Sequence, residues 1–194
     1  MIYLFATNNP NKVKEIKAIF EQAKLSLISL SDLGLFFEPT ETGSTFEENA
    51  IQKATKTLAF LRENNHGNIA VLSDDSGLCV NAMRGEPGVD SANFMGRDTP
   101  YEVRNRHIIS QLDKDRAARF VCVIACAFPN GKILTTEGIV HGEIASQPSG
   151  SGGFGYDPIF HVPSYGKTMA DLTAGEKNAI SHRGIALTKM IAQL

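Results

Sequence analysis

Two adjacent carboxylates, Asp74 and Asp75, stand where an apolar run from Ile69 to Ser73 meets Ser76-Gly77. The run reads as a buried strand, and ligand-handling groups in α/β proteins favour strand ends. Neighbouring like charges repel, so holding both beside a sheet calls for a cation or a raised pKa. Mg²⁺ suits such a place, because it takes a few carboxylates together with phosphate oxygens and water. Read alone, Asp-Asp-Ser-Gly is equally an ordinary polar turn. Glu41 and Lys53 join this set. Lys53 lies at the edge of a helical apolar stripe, near Phe46 in angle, where it reaches into a cleft or merely snorkels to solvent.

A second group sits on the turn Thr7-Asn8-Asn9-Pro10-Asn11-Lys12, between a short apolar strand and an amphipathic helix. Asn9 is a candidate N-cap and Pro10 suits the first helical position. At about 100° per residue, Lys12 shares the inward arc of Ile16, Ile19 and Ala23. A lysine there opposes the macrodipole, so helix stability is not its purpose. Thr7, Asn9 and Lys12 would cradle phosphate beside the free N–H groups of that terminus; the alternative is a capped helix with a solvated lysine.

Further along, Gly150, Gly152 and Gly155 spell GxGxxG, but the context excludes a dinucleotide fingerprint. That motif must open a helix after a strand, and here Tyr156-Asp157-Pro158 and an apolar strand-like run follow. What remains is a loop in which Phe154 can stack on a flat ring and Asp157 can accept a ring N–H, or a wide turn with a core aromatic. Near the C-terminus, Lys177, His182 and Arg183 fall on a predicted helix. Arg183 lies in the arc of Ile180, Leu187 and Met190, where a charge needs a partner. His182 points about 100° away, so a regular helix would not aim both at one atom unless it deviates near Gly184 or the ligand wraps its end. The alternative is a surface His and a salt-bridged Arg.

The elements that must position these groups read as strands at 2–6, 25–30 and 69–73, with a hairpin of 119–128 and 132–140 around Asn130-Gly131. Helices are predicted from Pro10, from a capping box Ser44-x-x-Glu47, from a capping box Thr99-Pro100-Tyr101-Glu102, and from Thr173-x-x-Glu176 to the C-terminus. Strands interleaved with helices imply an α/β fold with a mixed sheet. The length of 194 residues fits one domain, 1–194, with two lobes. A net charge of −2 does not advertise nucleic-acid binding. The three cysteines form no CxxC pair and sit in apolar stretches, which predicts buried thiols in a reducing compartment rather than a disulfide or zinc site. No basic leader precedes a long apolar stretch at the N-terminus, and no apolar run approaches the roughly 18 residues of a membrane span. A cytoplasmic protein is expected.

Taken together, the segments resemble the inosine triphosphate pyrophosphatase family, house-cleaning enzymes acting on dITP, ITP and XTP. The resemblance rests on Ala6-Thr7-x-Asn9-x-x-Lys12-x-x-Glu15, Thr45-Phe46-x-Glu48-Asn49-Ala50-x-x-Lys53-Ala54 and Ser73-Asp74-Asp75-Ser76-Gly77-Leu78. It continues through Pro87-Gly88, Gly152-Gly153-Phe154-Gly155-Tyr156-Asp157-Pro158-Ile159-Phe160 and Glu176-Lys177-Asn178-Ala179-Ile180-Ser181-His182-Arg183. It implies a two-lobed α/β fold, a long twisted mixed sheet flanked by helices, with the active site in the central cleft. It implies hydrolysis of a non-standard purine nucleoside triphosphate to the monophosphate and pyrophosphate, with Mg²⁺ as cofactor and a homodimer as the common assembly. By the same resemblance Thr7, Asn8, Asn9, Pro10, Asn11 and Lys12 bind the triphosphate, and Lys53 contacts phosphate. Asp75 is the proton acceptor, and Glu41 and Asp75 serve the metal. Ser76, Phe154, Gly155, Tyr156, Asp157, Lys177, His182 and Arg183 bind the nucleotide. Ser91-Ala92-Asn93 departs from the pattern, which leads one to expect a basic residue near Ala92 or Asn93.

Overall fold

The structure is a computed structural model describing residues 2–194, with Met1 outside the described residues. β1 (Ile2–Phe5) lies between β2 (Ser26–Ser29) and β3 (Ala70–Val80), parallel to both, with Leu4 opposite Ile28 and Val71. The sheet continues through β4 (Ala117–Ala127), β5 (Ile133–Ile144), β6 (Phe160–Val162) and β7 (Lys167–Thr168) in the order β2-β1-β3-β4-β5-β6-β7. The β5–β6 and β6–β7 pairs are antiparallel, so the sheet is mixed. Five α-helices accompany it: α1 (Pro10–Gln22), α2 (Phe46–Glu63), α3 (Tyr101–Ser110), α4 (Ala174–Ile180) and α5 (His182–Ile191).

The chain divides into two units, and β3, β4 and β5 contribute residues to both. Unit 1 comprises residues up to Asp75, Cys122–Gly138 and Arg183–Leu194. Within it, β1 beyond Ile2 and the unit 1 part of β3 are buried on both faces, as parallel strands usually are. Side-chain alternation sends Tyr3, Phe5 and Leu72 to the face covered by Ile16, Phe20, Leu187 and Met190 of α1 and α5. Leu4, Ala6 and Val71 go to the other face, against Ala50, Ala54, Leu58 and Leu61 of α2. Unit 2, Ser76–Val121 and Ile139–His182, has its own core of Leu78, Val80, Ile108, Phe120, Tyr156 and Phe160 among others. Cys79, Cys122 and Cys126 are buried and free, as expected. Among the described residues, no helix is long and apolar enough to cross a membrane.

Several boundaries differ from the sequence reading. β3 does not stop at Asp74 but runs through Asp74-Asp75-Ser76-Gly77 to Val80, so the polar-turn reading is wrong. Buried Leu78, Cys79 and Val80 keep the strand in the core beyond the carboxylates. The cap of α2 is Thr45, one residue later than the predicted box. Its hydroxyl accepts from Glu48 N–H, while the Glu48 carboxylate accepts from the backbone and hydroxyl of Ser44. α3 has no side-chain cap, because the Thr99 hydroxyl donates to the Met95 carbonyl instead. The last helix is two helices. The Thr173–Glu176 capping box opens α4, and extended backbone at Ser181 (φ −67°, ψ 153°) separates it from α5. The break thus lies before Gly184; it removes Ile180 from the arc of Arg183, whereas Leu187 and Met190 share α5 with Arg183.

Candidate functional site

In unit 1 the first strand-to-helix turn is built by its own side chains. Thr7 Oγ1 accepts from Asn9 N–H at 3.2 Å, and Asn9 Oδ1 caps α1 by accepting from Asn11 and Lys12 N–H. Pro10 opens the helix and Asn8 Nδ2 donates to the Phe37 carbonyl. Two of the terminal N–H groups expected to be free are therefore held by Asn9 in this state. Lys12 is no solvated lysine: its Nζ lies 3.0 and 2.9 Å from the two carboxylate oxygens of Asp74.

Asp74 is fully buried. Besides Lys12, it faces Arg183, whose Nε and Nη2 each lie 3.3 Å from Oδ2. Arg183 in turn donates from Nη1 to Glu15 Oε2 at 2.6 Å. Burial pushes the Asp74 carboxyl up, but Lys12, Arg183 and Lys53 outweigh it and hold it well below the usual carboxylate range. The partner demanded for Arg183 is thus the pair Asp74 and Glu15. Asp74 is a buried anion ringed by Lys12, Arg183 and Lys53.

Asp75 points the other way, towards α2, where Asn49 Nδ2 donates to its Oδ2 at 3.1 Å. Burial pushes its carboxyl up to about 6, only partly countered by Lys53 and the Asn49 hydrogen bond. Lys53 Nζ bridges the neighbourhood, 2.9 Å from Glu41 Oε1 and donating to the Asp74 carbonyl at 2.9 Å. Burial disfavours its charge, but Asp74, Glu41 and Asp75 overcome that and raise its pKa. Lys12, Lys53 and the Asp74–Asp75 pair therefore converge.

Unit 2 holds the aromatic loop. Gly153 has φ +68°, and a Cβ there would strike the Asp157 carboxylate, so glycine is required. Asp157 Oδ2 accepts from Phe154 N–H at 2.7 Å and from Lys177 Nζ at 2.8 Å. The same Nζ lies 4.9 Å from the centroid of the Phe154 ring. Asp157 and Lys177 are both buried, so a charged pair fixes the loop alongside the core aromatic Tyr156. Tyr156 donates to the Ser91 carbonyl at 2.8 Å, and Gly155 receives a bond from Asn105. His182 is buried, not a surface residue, and stacks on Phe120 at 4.7 Å between ring centroids. Ser76 is half-buried in the middle of β3. The loop is followed by a short 3₁₀ turn (Asp157–Ile159) and β6, not by a dinucleotide-binding helix. At the departing stretch, the Arg104 guanidinium donates to the Ala92 carbonyl at 2.8 Å.

Sequence reasoning assigned no role to Asn49 or Glu15 although both stand in the motifs, because hydrogen-bond partners far along the chain leave no local signal. Tyr101, Asn105 and Phe120 carried no signal.

A family model described as the Ham1 family matches residues 3–193. The dITP/XTP pyrophosphatase of Clostridium perfringens is 41% identical over 192 residues, covering 97% of this chain and 94% of that protein. That of Bacillus subtilis is 44% identical over 191 residues, covering 96% and 93%. Among solved structures, the Ham1 protein of Staphylococcus aureus superposes with a TM-score of 0.85 at 41% identity, covering 99% of this chain and 97% of that one. The HAM1 protein of Coxiella burnetii gives 0.82 at 37% identity, with coverage of 99% and 97%. Agreement in sequence, overall superposition and length leaves one assignment: the chain belongs to the Ham1 family.

Proposed function

We propose that this protein hydrolyses non-standard purine nucleoside triphosphates (ITP, dITP and XTP) to the monophosphate and pyrophosphate, with Mg²⁺, so that they are not incorporated into DNA or RNA. The observation that carries the reading is the convergence of Lys12 and Lys53 on the Asp74–Asp75 pair, with Asp75 held near neutrality. The activity named for the relatives from Clostridium perfringens and Bacillus subtilis supports it.

The donor set fits magnesium. No group of three His, Cys, Asp or Glu side chains able to hold a metal ion occurs among the described residues, so a protein-only cage is not what the chain provides. Glu41 and Asp75, both beside Lys53, offer the one or two carboxylates that Mg²⁺ combines with substrate phosphates and water. When bound there, the ion supplies charge neutralisation on the phosphate oxygens. Lys12 and Lys53 add to that neutralisation as negative charge moves to the leaving group. Asp75 orients a water and takes its proton while the water oxygen bonds the α-phosphorus. The bond to the α–β bridging oxygen breaks, and pyrophosphate leaves with that oxygen.

The unit 2 group reads the base. Phe154 stacks on the purine, and Asp157 with Lys177 sets the loop that presents it. Hypoxanthine and xanthine carry a 6-oxygen, to which His182 or Arg183 donates; His182 is the one grouped with the aromatic loop. Adenine presents a 6-amino donor, so donor meets donor and the unpaired groups penalise ATP. The same reading makes the protein a homodimer and places it in the cytoplasm, the latter in keeping with its buried free thiols.

A pyrophosphate-release assay over common and deaminated nucleotides, with Mg²⁺ or with EDTA, tests the reading. ITP and XTP are expected to turn over far faster than ATP, and EDTA to abolish release. Equal kcat/KM for all three would remove the substrate assignment. Nucleotide binding without hydrolysis would make the protein a sensor.

A further inference from the structure

We propose that Asn105 is a positioning residue for base recognition, acting through the carbonyl of Gly155. The inference rests on the reading that the Phe154–Asp157 loop meets the purine. Asn105 is only 4% exposed and its Nδ2 donates to the Gly155 carbonyl at 3.2 Å. The amide nitrogen must face that carbonyl, since the oxygen would repel it. Gly155 lies between the stacking ring Phe154 and the anchored Tyr156, at φ +69°. Glycine is the residue with the widest backbone freedom, so this link is where the loop would rotate most easily. Among the described residues, Asn105 is the side chain that donates to this carbonyl and so restrains its orientation.

The rest of α3 confirms the direction of the restraint. Tyr101, one turn before Asn105, meets the Tyr156 ring edge-on at 5.2 Å between centroids. Arg104 donates to the carbonyls of Ser91, Ala92, Gly96 and Arg97, and Ser91 is also the acceptor for Tyr156. Consecutive turns of one helix thus hold consecutive residues of the loop.

Stability alone does not explain Asn105. Its Oδ1 is buried and accepts no hydrogen bond among the described residues. A half-satisfied buried amide is costlier than an apolar side chain of the same shape. A leucine would fill the space at lower cost but would leave the Gly155 carbonyl without its donor.

Asn105→Leu tests this, with inosine monophosphate and inorganic tripolyphosphate as separate probes of base and phosphate binding. The variant is expected to melt close to the wild-type temperature, because relief of the unsatisfied Oδ1 offsets the hydrogen bond lost at Gly155. Its affinity for inosine monophosphate should fall about tenfold, the scale of one lost hydrogen bond, while its tripolyphosphate affinity holds. The ITP-to-ATP preference should contract mainly through KM, and Asn105→Gln, which restores a donor, should recover part of it. Unchanged inosine monophosphate affinity overturns the proposal. So does a parallel loss of both affinities together with melting temperature, which marks a structural role. Should Asn105→Leu not fold, Asn105→Ser carries the same readouts. A wild type with no preference for ITP sinks the underlying reading, whereas a preference that survives Asn105→Leu sinks only this inference.

Discussion

Asp74 and Asp75 are consecutive residues of β3 that face opposite layers of unit 1 and carry opposite electrostatic settings. Asp74 meets Lys12 of α1 and Arg183 of α5, which hold it ionised despite complete burial. Asp75 meets Asn49 of α2, and burial lifts its carboxyl to about 6. The alternation of a strand is enough to separate them. One carboxylate is a buried counter-charge for the cations, and the other is lifted towards neutral pH, which suits the base of the proposed reaction.

Replacing the base should abolish turnover without harming the fold. Asp75→Asn is expected to lose at least ~100-fold in kcat, the lower range for a lost acid–base group. The folded state raises the pKa of Asp75, so its protonated form stabilises the fold below the unfolded value and that contribution is gone above about pH 6. Asp75→Asn in metal-free buffer at pH 7 should therefore melt no lower than wild type. Near wild-type turnover in a folded sample would overturn the assignment.

Protons and magnesium should compete at Asp75. Mg²⁺ affinity, measured calorimetrically without nucleotide, is expected to weaken as pH falls below about 6, by up to about tenfold per pH unit. Asn49→Ala removes a hydrogen bond that favours the carboxylate, so it should shift this dependence to higher pH. An affinity that is flat from pH 7 to pH 5 would separate Asp75 from the metal.

Asp74 should matter for stability. Asp74→Ala leaves buried Arg183 and Lys12 short of a counter-charge, a change that costs on the order of 3–5 kcal/mol in buried ion pairs. The depressed pKa of Asp74 contributes stability above its unfolded value that is lost as pH falls below it. Urea melts between pH 7 and pH 3 should show that acid loss in wild type and a reduced one in Asp74→Asn.

The Asp157–Lys177 pair should govern the base rather than the chemistry. Asp157→Asn weakens the charged link to Lys177 that orders the loop. Its kcat/KM for ITP is expected to fall by about tenfold or more, chiefly through KM, with tripolyphosphate binding unchanged. A pure kcat loss would place Asp157 with the reacting atoms instead.

Much of this was legible along the chain. Apolar periodicity marked β1, α1 and α2, Asn9-Pro10 marked a helix start, and Asn130-Gly131 marked the β4–β5 hairpin. The Thr173 capping box was read correctly, yet the helix it opens was carried too far, because the extended backbone at Ser181 has no local signature. Asp-Asp-Ser-Gly was ambiguous for a different reason. Its composition suits a turn, and only cations from Lys12, Lys53 and Arg183 make a buried strand affordable there.

The sequence by itself determined which residue types could handle a polyphosphate and a purine, since ordered motifs and hydrophobic spacing are local properties of a chain. Tertiary structure alone decided which partner each charge received. Arg183 reaches Asp74 across 109 positions and Glu15 across 168. Pairings over such separations follow from how strands and helices pack, and packing also gives Asp74 the cations that hold it low while burial lifts Asp75.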